Sequence, residues 1–99
     1  MPYVYFLRCA DNSLYCGYTV DLRHRVAQHQ LGRGAKYTRA RLPVSLVYAE
    51  ELPDKSAALQ REAQLKKLSR AQKLELIMQN PDRFEGAAFS PYASDDKEE

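Results

Sequence analysis

The chain has 99 residues, 44% of them apolar and 28% charged, a composition typical of one soluble globular domain and too short for a second catalytic domain. No apolar run approaches the roughly 20 residues of a membrane-spanning helix, and no basic leader precedes the first apolar run, so we expect an unprocessed cytoplasmic protein that does not act on membranes. Its two cysteines are too few for a disulfide framework or a cysteine-ligated zinc site.

The net charge of +2 is unevenly distributed along the chain. The last five residues carry −3, so residues 1–94 carry +5. No carboxylate lies between Asp21 and Glu50. The basic and imidazole side chains of that interval are Arg23, His24, Arg25, His29, Arg33, Lys36, Arg39 and Arg41. Such a cluster is typical of a phosphate-binding surface and equally typical of a solvated face, so charge alone does not decide between them.

The beginning of the chain predicts a β-hairpin. Residues 3–9 and 14–19 are rich in aromatic and β-branched side chains, which favour strands, and polar turn residues separate them. A three-residue turn over 11–13 places Leu7 opposite Gly17 in the expected register.

Strand alternation in this hairpin places Tyr5, Tyr15 and Gly17 on one face. A glycine inside a strand costs stability and often marks the close approach of a ligand, so two phenols beside it are a candidate site. A tyrosine-rich strand pair without a site explains the same residues. Cys9 and Cys16 fall on opposite faces, which excludes a disulfide between them.

The middle of the chain predicts one helix, a loop and a third strand. Asp21 is expected to cap a helix that runs to about Leu31, where glycines offer stop positions. A loop over residues 33–42 follows, and then a strand over 44–49 that ends at the charged pair of residues 50–51.

Two further helices are expected after the third strand. Ser56 is predicted to cap the first, which runs through Leu68. Ser69 and Gln72 form a capping box for the second, which runs to about Met78. Pro81 is expected to end that helix.

The resulting order, β-β-α-β-α-α, predicts an α+β domain. Its small three-stranded sheet must be covered by helices to bury its apolar side chains. We expect this domain to occupy residues 1–80 and residues 81–99 to form a flexible, acidic tail, because that segment lacks periodic apolar residues.

The first helix carries a candidate phosphate-binding pair. Arg25 and His29 lie four residues apart and project from the same helix face, so both can reach one phosphate. The simpler interpretation makes Arg23, Arg25 and His29 the solvated side of a helix whose buried side is Leu22 and Val26.

The second helix carries a carboxylate at an unexpected position. Its apolar arc comprises Ala58, Leu59, Ala63, Leu65 and Leu68, and Glu62 falls inside that arc. A buried carboxylate must be paired or bind a cation. Lys66, four residues later, makes an ion pair one explanation, and a metal ligand is the other.

The order and spacing of these residues resemble one known superfamily. The motifs are Tyr3-Val4-Tyr5, then Tyr15-Cys16-Gly17 ten residues later, Asp21-Leu22 followed by Arg25 and His29, and Arg61-Glu62-Ala63 on a later helix. Over residues 2–78 the chain resembles the GIY-YIG nuclease superfamily, and within it the small stand-alone bacterial proteins. In these, Gly34-Ala35-Lys36-Tyr37-Thr38 and Ser69-Arg70-Ala71-Gln72-Lys73 also have counterparts. The glycine of the first motif and the isoleucine of the second are replaced here, and both motif tyrosines are kept.

The resemblance implies a three-stranded antiparallel sheet flanked by helices and an endonuclease that hydrolyses DNA phosphodiester bonds with one divalent cation, Mg²⁺ or Mn²⁺. Branched, damaged or single-stranded DNA is the expected substrate, in DNA repair or recombination. Larger members carry separate DNA-binding domains, which 99 residues cannot accommodate, so a targeting protein partner is a further expectation. The alternative is a nucleic-acid-binding module of the same fold without turnover.

The resemblance also implies roles for particular residues. Tyr5 and Tyr15 correspond to the motif tyrosines, one of which handles the proton of the attacking water, and Gly17 gives them room. Arg25 would hold the scissile phosphate. Glu62 corresponds to the lone metal-ligating carboxylate, and a single carboxylate suits Mg²⁺. The other candidates are His29, where many members have a histidine, and the nucleic-acid contacts Gly17, Arg23, Lys36, Tyr37, Arg39 and Lys66.

Overall fold

The computed structural model describes residues 1–79, in which the chain forms three strands and four helices. In chain order these are β1 (Tyr3–Arg8), β2 (Leu14–Thr19), α1 (Leu22–Gln30), α2 (Lys36–Arg39), β3 (Ser45–Glu51), α3 (Lys55–Lys66) and α4 (Arg70–Met78). The predicted α+β order is confirmed, with one addition: α2, a single helical turn, lies in the segment predicted as a loop. The predicted acidic tail and Pro81 lie outside the described residues. None of the helices in residues 1–79 is long and apolar enough to cross a bilayer.

The three strands form one antiparallel sheet in the order β2-β1-β3, so β2 is an edge strand. The predicted hairpin register was wrong by two residues, because Leu7 pairs with Tyr15 and Tyr5 pairs with Gly17. The turn is longer than predicted: the Cys9 N–H donates to the Ser13 carbonyl at 2.9 Å, and the intervening Asn12 adopts a φ of 71°. A shift by an even number leaves every side chain on its predicted face.

Each face of the sheet buries its own apolar cluster. The α1 face contains Tyr5, Leu7, Cys9, Leu22, Val26, Val44 and Ala49. The α3 face contains Val4, Phe6, Cys16, Tyr48, Ala58 and Leu65. Burial of one large apolar side chain stabilises a fold by about 1.5–3 kcal/mol, so both clusters hold the strands in place. The two cysteines are free and buried on opposite faces, as predicted.

The two caps predicted at Asp21 and Ser69 are confirmed, whereas the cap of α3 differs. The Asp21 carboxylate accepts from the His24 N–H at 3.1 Å, and Ser69 forms its capping box. Asp54 caps α3 by accepting from the Ala57 N–H at 2.8 Å, so the predicted cap Ser56 lies inside the helix. A carboxylate at this position satisfies an otherwise unpaired helix N–H, and the helix therefore begins two residues earlier than predicted.

The apolar arc of α3 is narrower than predicted. Ala58 and Leu65 are buried, but Leu59 is 43% exposed and Ala63 is also exposed. Only the stripe that contacts the sheet is covered, since no further element packs over the flank of the helix that carries Leu59 and Ala63 in the described residues.

The charged pair predicted to end β3 instead belongs to the strand. Glu50 accepts from Arg61 Nε at 2.9 Å and from Arg61 Nη2 at 2.8 Å, and Tyr48 also donates to it. This bidentate pair compensates the Glu50 charge and joins β3 to α3. The strand therefore continues through Glu51.

Candidate active site

Two tyrosines of the sheet meet a histidine of α1 on the face that α1 covers. Tyr5 Oη lies 2.8 Å from His29 Nε2. The Tyr15 ring lies 5.2 Å from the His29 ring and 6.3 Å from the Tyr5 ring, measured between centroids. The structure therefore brings together three residues that are distant in the sequence.

His29 is fully buried, so the interpretation that places it on the solvated side of the helix was wrong for this residue. Its second ring nitrogen, Nδ1, lies 2.8 Å from Thr38 Oγ1, and both nitrogens are thus hydrogen-bonded. These two partners compensate the loss of water around the imidazole, which is why a polar side chain can occupy this buried position.

Two glycines leave room for this cluster. A Cβ atom at Gly17 would lie 2.6 Å from Tyr5 Oη and 3.0 Å from Tyr15 Cε2. A Cβ atom at Gly34 would overlap the His29 imidazole. Gly17 was predicted to give the tyrosines room, and the geometry agrees.

The predicted contact Tyr37 extends the cluster to the surface. Its ring stacks on that of Tyr15 with centroids 6.1 Å apart, and it is 39% exposed. The Arg41 guanidinium lies 3.8 Å from the centre of the Tyr37 ring and also pairs with Asp11 at 3.1 Å. A cation over the ring and an aromatic neighbour together fix the orientation of Tyr37. Three other predicted contacts are exposed on the surface, Arg23 on α1 and Lys36 and Arg39 on α2.

Burial keeps both Tyr5 and His29 neutral at physiological pH. It raises the pKa of Tyr5 to about 12, although the nearby Arg25 side chain acts in the opposite direction. Burial and, to a lesser extent, the positive charge of Arg25 lower the pKa of His29 to about 4. The cluster is therefore a phenol hydrogen-bonded to a neutral imidazole, with Arg25 beside both.

Acid is expected to destabilise the fold through His29. Between its ordinary pKa of 6.5 and the folded value of about 4, the unfolded chain binds a proton that the folded chain excludes. Stability therefore falls as the pH decreases through this range, and the loss approaches about 3 kcal/mol below pH 4. Urea denaturation at about pH 7 and about pH 4.5 measures the difference. We expect His24→Gln to retain this difference in the free energy of unfolding between the two pH values and His29→Asn to lose most of it. An unchanged difference in His29→Asn would contradict the prediction.

The predicted metal ligand lies across the sheet from the tyrosines. Glu62 belongs to α3, and its carboxylate pairs with Lys66 Nζ at 3.2 Å, so the ion pair that the spacing allowed is formed. The Glu62 side chain is 19% exposed. It lies near Cys16 of β2, whose pKa is raised to about 11 by burial and, to a lesser extent, by the negative charge of Glu62. Glu62 and Lys66 thus flank β2 on the face opposite to Tyr5 and Tyr15.

Comparison with known proteins identifies the family of this domain. A sequence profile of the GIY-YIG catalytic domain matches residues 1–75. The chain belongs to the GIY-YIG family. It is 54% identical over 83 residues to a UPF0213 protein of Syntrophus aciditrophicus, covering 83% of this chain and 95% of that protein. A UPF0213 protein of Streptococcus pneumoniae is 53% identical over 81 residues, or 82% of each chain.

Two solved structures share this GIY-YIG fold. The solution NMR structure of a UPF0213 protein from Bacillus halodurans has a TM-score of 0.56 at 43% identity and covers 86% of this chain and 92% of that chain. A solution NMR structure of a protein from E. faecalis has a TM-score of 0.50 at 39% identity, with coverages of 75% and 80%. The resemblance to the small single-domain members and the predicted fold class are both confirmed.

The donor set of this GIY-YIG domain fits a magnesium ion bound through one carboxylate. No group of three or more histidine, cysteine, aspartate or glutamate side chains comes together within residues 1–79. On the α3 face, Glu50 is held by its bidentate pair with Arg61, whereas Glu62 pairs with the more exposed Lys66. Mg²⁺ retains several waters and takes further oxygens from substrate phosphates, so it does not require a larger protein cage.

The sequence predicted a helix stop at Gly34 and placed Arg41 in the basic segment, but it predicted no contact of Gly34, Thr38 or Arg41 with the site of this GIY-YIG domain. All three contact the cluster from the segment between α1 and β3. For Gly34 and Thr38 the available signal was the Gly34–Thr38 motif shared with the small stand-alone members, which indicated importance without indicating contact with His29.

Proposed function

We propose that the protein is a divalent-metal-dependent endonuclease that hydrolyses phosphodiester bonds in DNA. Membership of the GIY-YIG family supports a nuclease. The observation that carries the proposal is the buried hydrogen bond between Tyr5 and His29 beside Arg25. Phosphate binding alone requires cations, whereas a phenol bonded to a neutral imidazole supplies a route for a proton, which hydrolysis also requires.

Arg25 would bind the scissile phosphate next to Tyr5. A guanidinium has five N–H donors in a planar fork, so Arg25, whose charge acts on Tyr5, could bind two phosphate oxygens at once. The charge that develops on the phosphate during attack is then compensated by a group already in place.

Tyr5 would relay the proton of the attacking water to His29. As the water oxygen bonds to phosphorus and the bond to the leaving oxygen breaks, the water proton passes to Tyr5 Oη while the phenol proton passes to His29 Nε2. The pKa of Tyr5 is about 12 and that of His29 is about 4, so transfer of the phenol proton to His29 alone would scarcely populate a Tyr5 phenolate. A concerted relay does not require that phenolate as an intermediate.

We assign the cation, Mg²⁺ or Mn²⁺, to Glu62. When bound, it would stabilise the negative charge on the leaving oxygen. Glu62 and the tyrosines flank the edge strand β2 from its two faces, so the substrate would cross that edge. Lys66 would contact the substrate on the α3 face.

The expected substrates are branched, damaged or single-stranded forms of DNA, in repair or recombination. The surface contacts proposed for the α1 face are Arg23, Lys36, Tyr37 and Arg39, three exposed cations and one partly exposed aromatic ring. Because contacts to the DNA phosphate backbone carry little sequence information, a separate targeting protein would select the cleavage site on the DNA.

Removal of Arg25 is expected to lower cleavage about 100-fold, since one charged donor to the developing charge is lost. Purified wild type and Arg25→Ala are incubated with supercoiled, linear, single-stranded and branched DNA in Mg²⁺, Mn²⁺ or EDTA. Lys55→Ala, which removes an exposed cation at the start of α3, is the matched control. Metal-dependent cleavage that only Arg25→Ala loses supports the proposal. Salt-sensitive DNA binding by wild type without any cleavage would replace it with a non-catalytic binding module.

A further inference from the structure

A chain of hydrogen bonds runs through the buried cluster, and its direction is fixed at one end by Thr38. Thr38 Oγ1 lies 3.0 Å from the Ala35 carbonyl, to which it donates its single hydrogen. The contact at 2.8 Å between Thr38 Oγ1 and His29 Nδ1 must then be a bond that His29 donates. The opposite arrangement would leave two oxygen lone pairs facing each other at 3.0 Å.

The other end of the chain takes its direction from His29. With its proton on Nδ1, the neutral imidazole carries a lone pair on Nε2 and can only accept there. The Tyr5 hydrogen therefore points to His29 Nε2, 2.8 Å away. Tyr5 donates to His29, His29 to Thr38, and Thr38 to the Ala35 carbonyl.

We propose that Thr38 is a positioning residue that holds His29 in the tautomer protonated at Nδ1 and so keeps Nε2 free to accept the Tyr5 proton. Thr38 is fully buried at the C-terminal side of Gly34, the glycine whose missing side chain lets this segment approach the imidazole. The hydroxyl selects between two otherwise similar tautomers, and only one of them can take a proton from Tyr5.

The catalytic consequence rests on the proposed endonuclease activity, whereas the tautomer itself does not. With the proton on Nε2, His29 would donate to the Tyr5 oxygen and block the route that the relay requires. Loss of the correct histidine tautomer is known to be costly where an imidazole accepts a proton from a catalytic hydroxyl.

The first test is a ¹⁵N NMR measurement of the imidazole nitrogens at neutral pH, with His24→Gln used to assign the two histidines. In wild type and in Thr38→Ser we expect the Nδ1–H tautomer of His29. In Thr38→Val, which keeps the shape of the side chain and removes its hydroxyl, we expect the Nε2–H form to become the major species. An Nε2–H tautomer in wild type, or an unchanged tautomer in Thr38→Val, would overturn the proposal. Thr38→Ala, with the same expectations, replaces Thr38→Val if that variant does not fold.

The second test is steady-state cleavage by the same variants. We expect Thr38→Val to lower kcat roughly 100-fold with KM changed less than about threefold, and Thr38→Ser to restore most of the rate. Equal losses in both variants, or a loss confined to KM, would assign Thr38 a purely structural role. If the wild type cuts no DNA, the proposed function fails, and the NMR measurement still decides the tautomer assignment.

Discussion

Replacement of Tyr5 by phenylalanine is expected to lower kcat about 1,000-fold with little change in KM, because general acid–base groups contribute about 10²–10⁴ to the rates of enzymes. In the proposed relay, the Tyr5 phenol oxygen lies between the attacking water and His29 Nε2, which is 2.8 Å from that oxygen. Phenylalanine has no hydroxyl and cannot relay a proton. The variant also leaves His29 Nε2 without its donor, which costs about 1–3 kcal/mol of stability. Single-turnover cleavage, with thermal unfolding measured alongside, separates the two effects.

Tyr3→Phe is the matched control for this prediction. Tyr3 lies on the same strand and face as Tyr5, is partly buried and packs against the same apolar cluster. We expect its cleavage rate to stay within about twofold of wild type, as is usual for changes away from a site. A larger loss in Tyr15→Phe than in Tyr5→Phe would move the proton relay to Tyr15 and contradict our assignment.

Replacement of Glu62 by glutamine is expected to abolish metal-dependent cleavage, a loss of about 1,000-fold, since a cation contributes several kcal/mol to charge stabilisation. Glutamine keeps the shape of the side chain and removes its charge. The ion pair with Lys66 is lost as well, but the Lys66 side chain is 56% exposed, so this pair contributes about 0.3–0.5 kcal/mol at most. Stability should therefore hardly change while activity is lost.

Cleavage across a range of Mg²⁺ concentrations and Mn²⁺ binding followed by electron paramagnetic resonance test this prediction. Glu51→Gln, an exposed carboxylate at the end of β3, is the control and should behave as wild type. Full activity and unchanged Mn²⁺ binding in Glu62→Gln would leave the ion pair as the whole explanation of this residue.

The faces of the hairpin were predictable from the sequence, although its register was not. Side chains alternate with a period of two, so Tyr5, Tyr15 and Gly17 share a face in any register shifted by an even number of residues. The register itself depends on the turn, where Asn12 adopts a left-handed conformation that no local pattern required. Face assignment is therefore more robust than pairing in a short hairpin.

The burial of His29 could not be predicted from the helix that carries it. Its neighbours suggested a solvated side, and the residues that cover it, Gly34 and Thr38, follow after a turn whose path the sequence does not encode locally. α2 was missed for the same reason, since one helical turn gives too few residues for a periodic pattern. Residues of this kind become recognisable only once the tertiary contacts are known.

The position of β2 at the edge of the sheet affects how variants of this protein should be interpreted. One side of this strand is paired with β1, and on the other side its N–H and C=O groups have no strand partner within the described residues. Such an edge can pair with the same edge of a second molecule, especially when the native packing around it is loosened. Substitutions at Tyr15 or Gly17 perturb that packing directly. An inactive variant at either position should therefore be checked for self-association by light scattering before its loss of activity is attributed to chemistry.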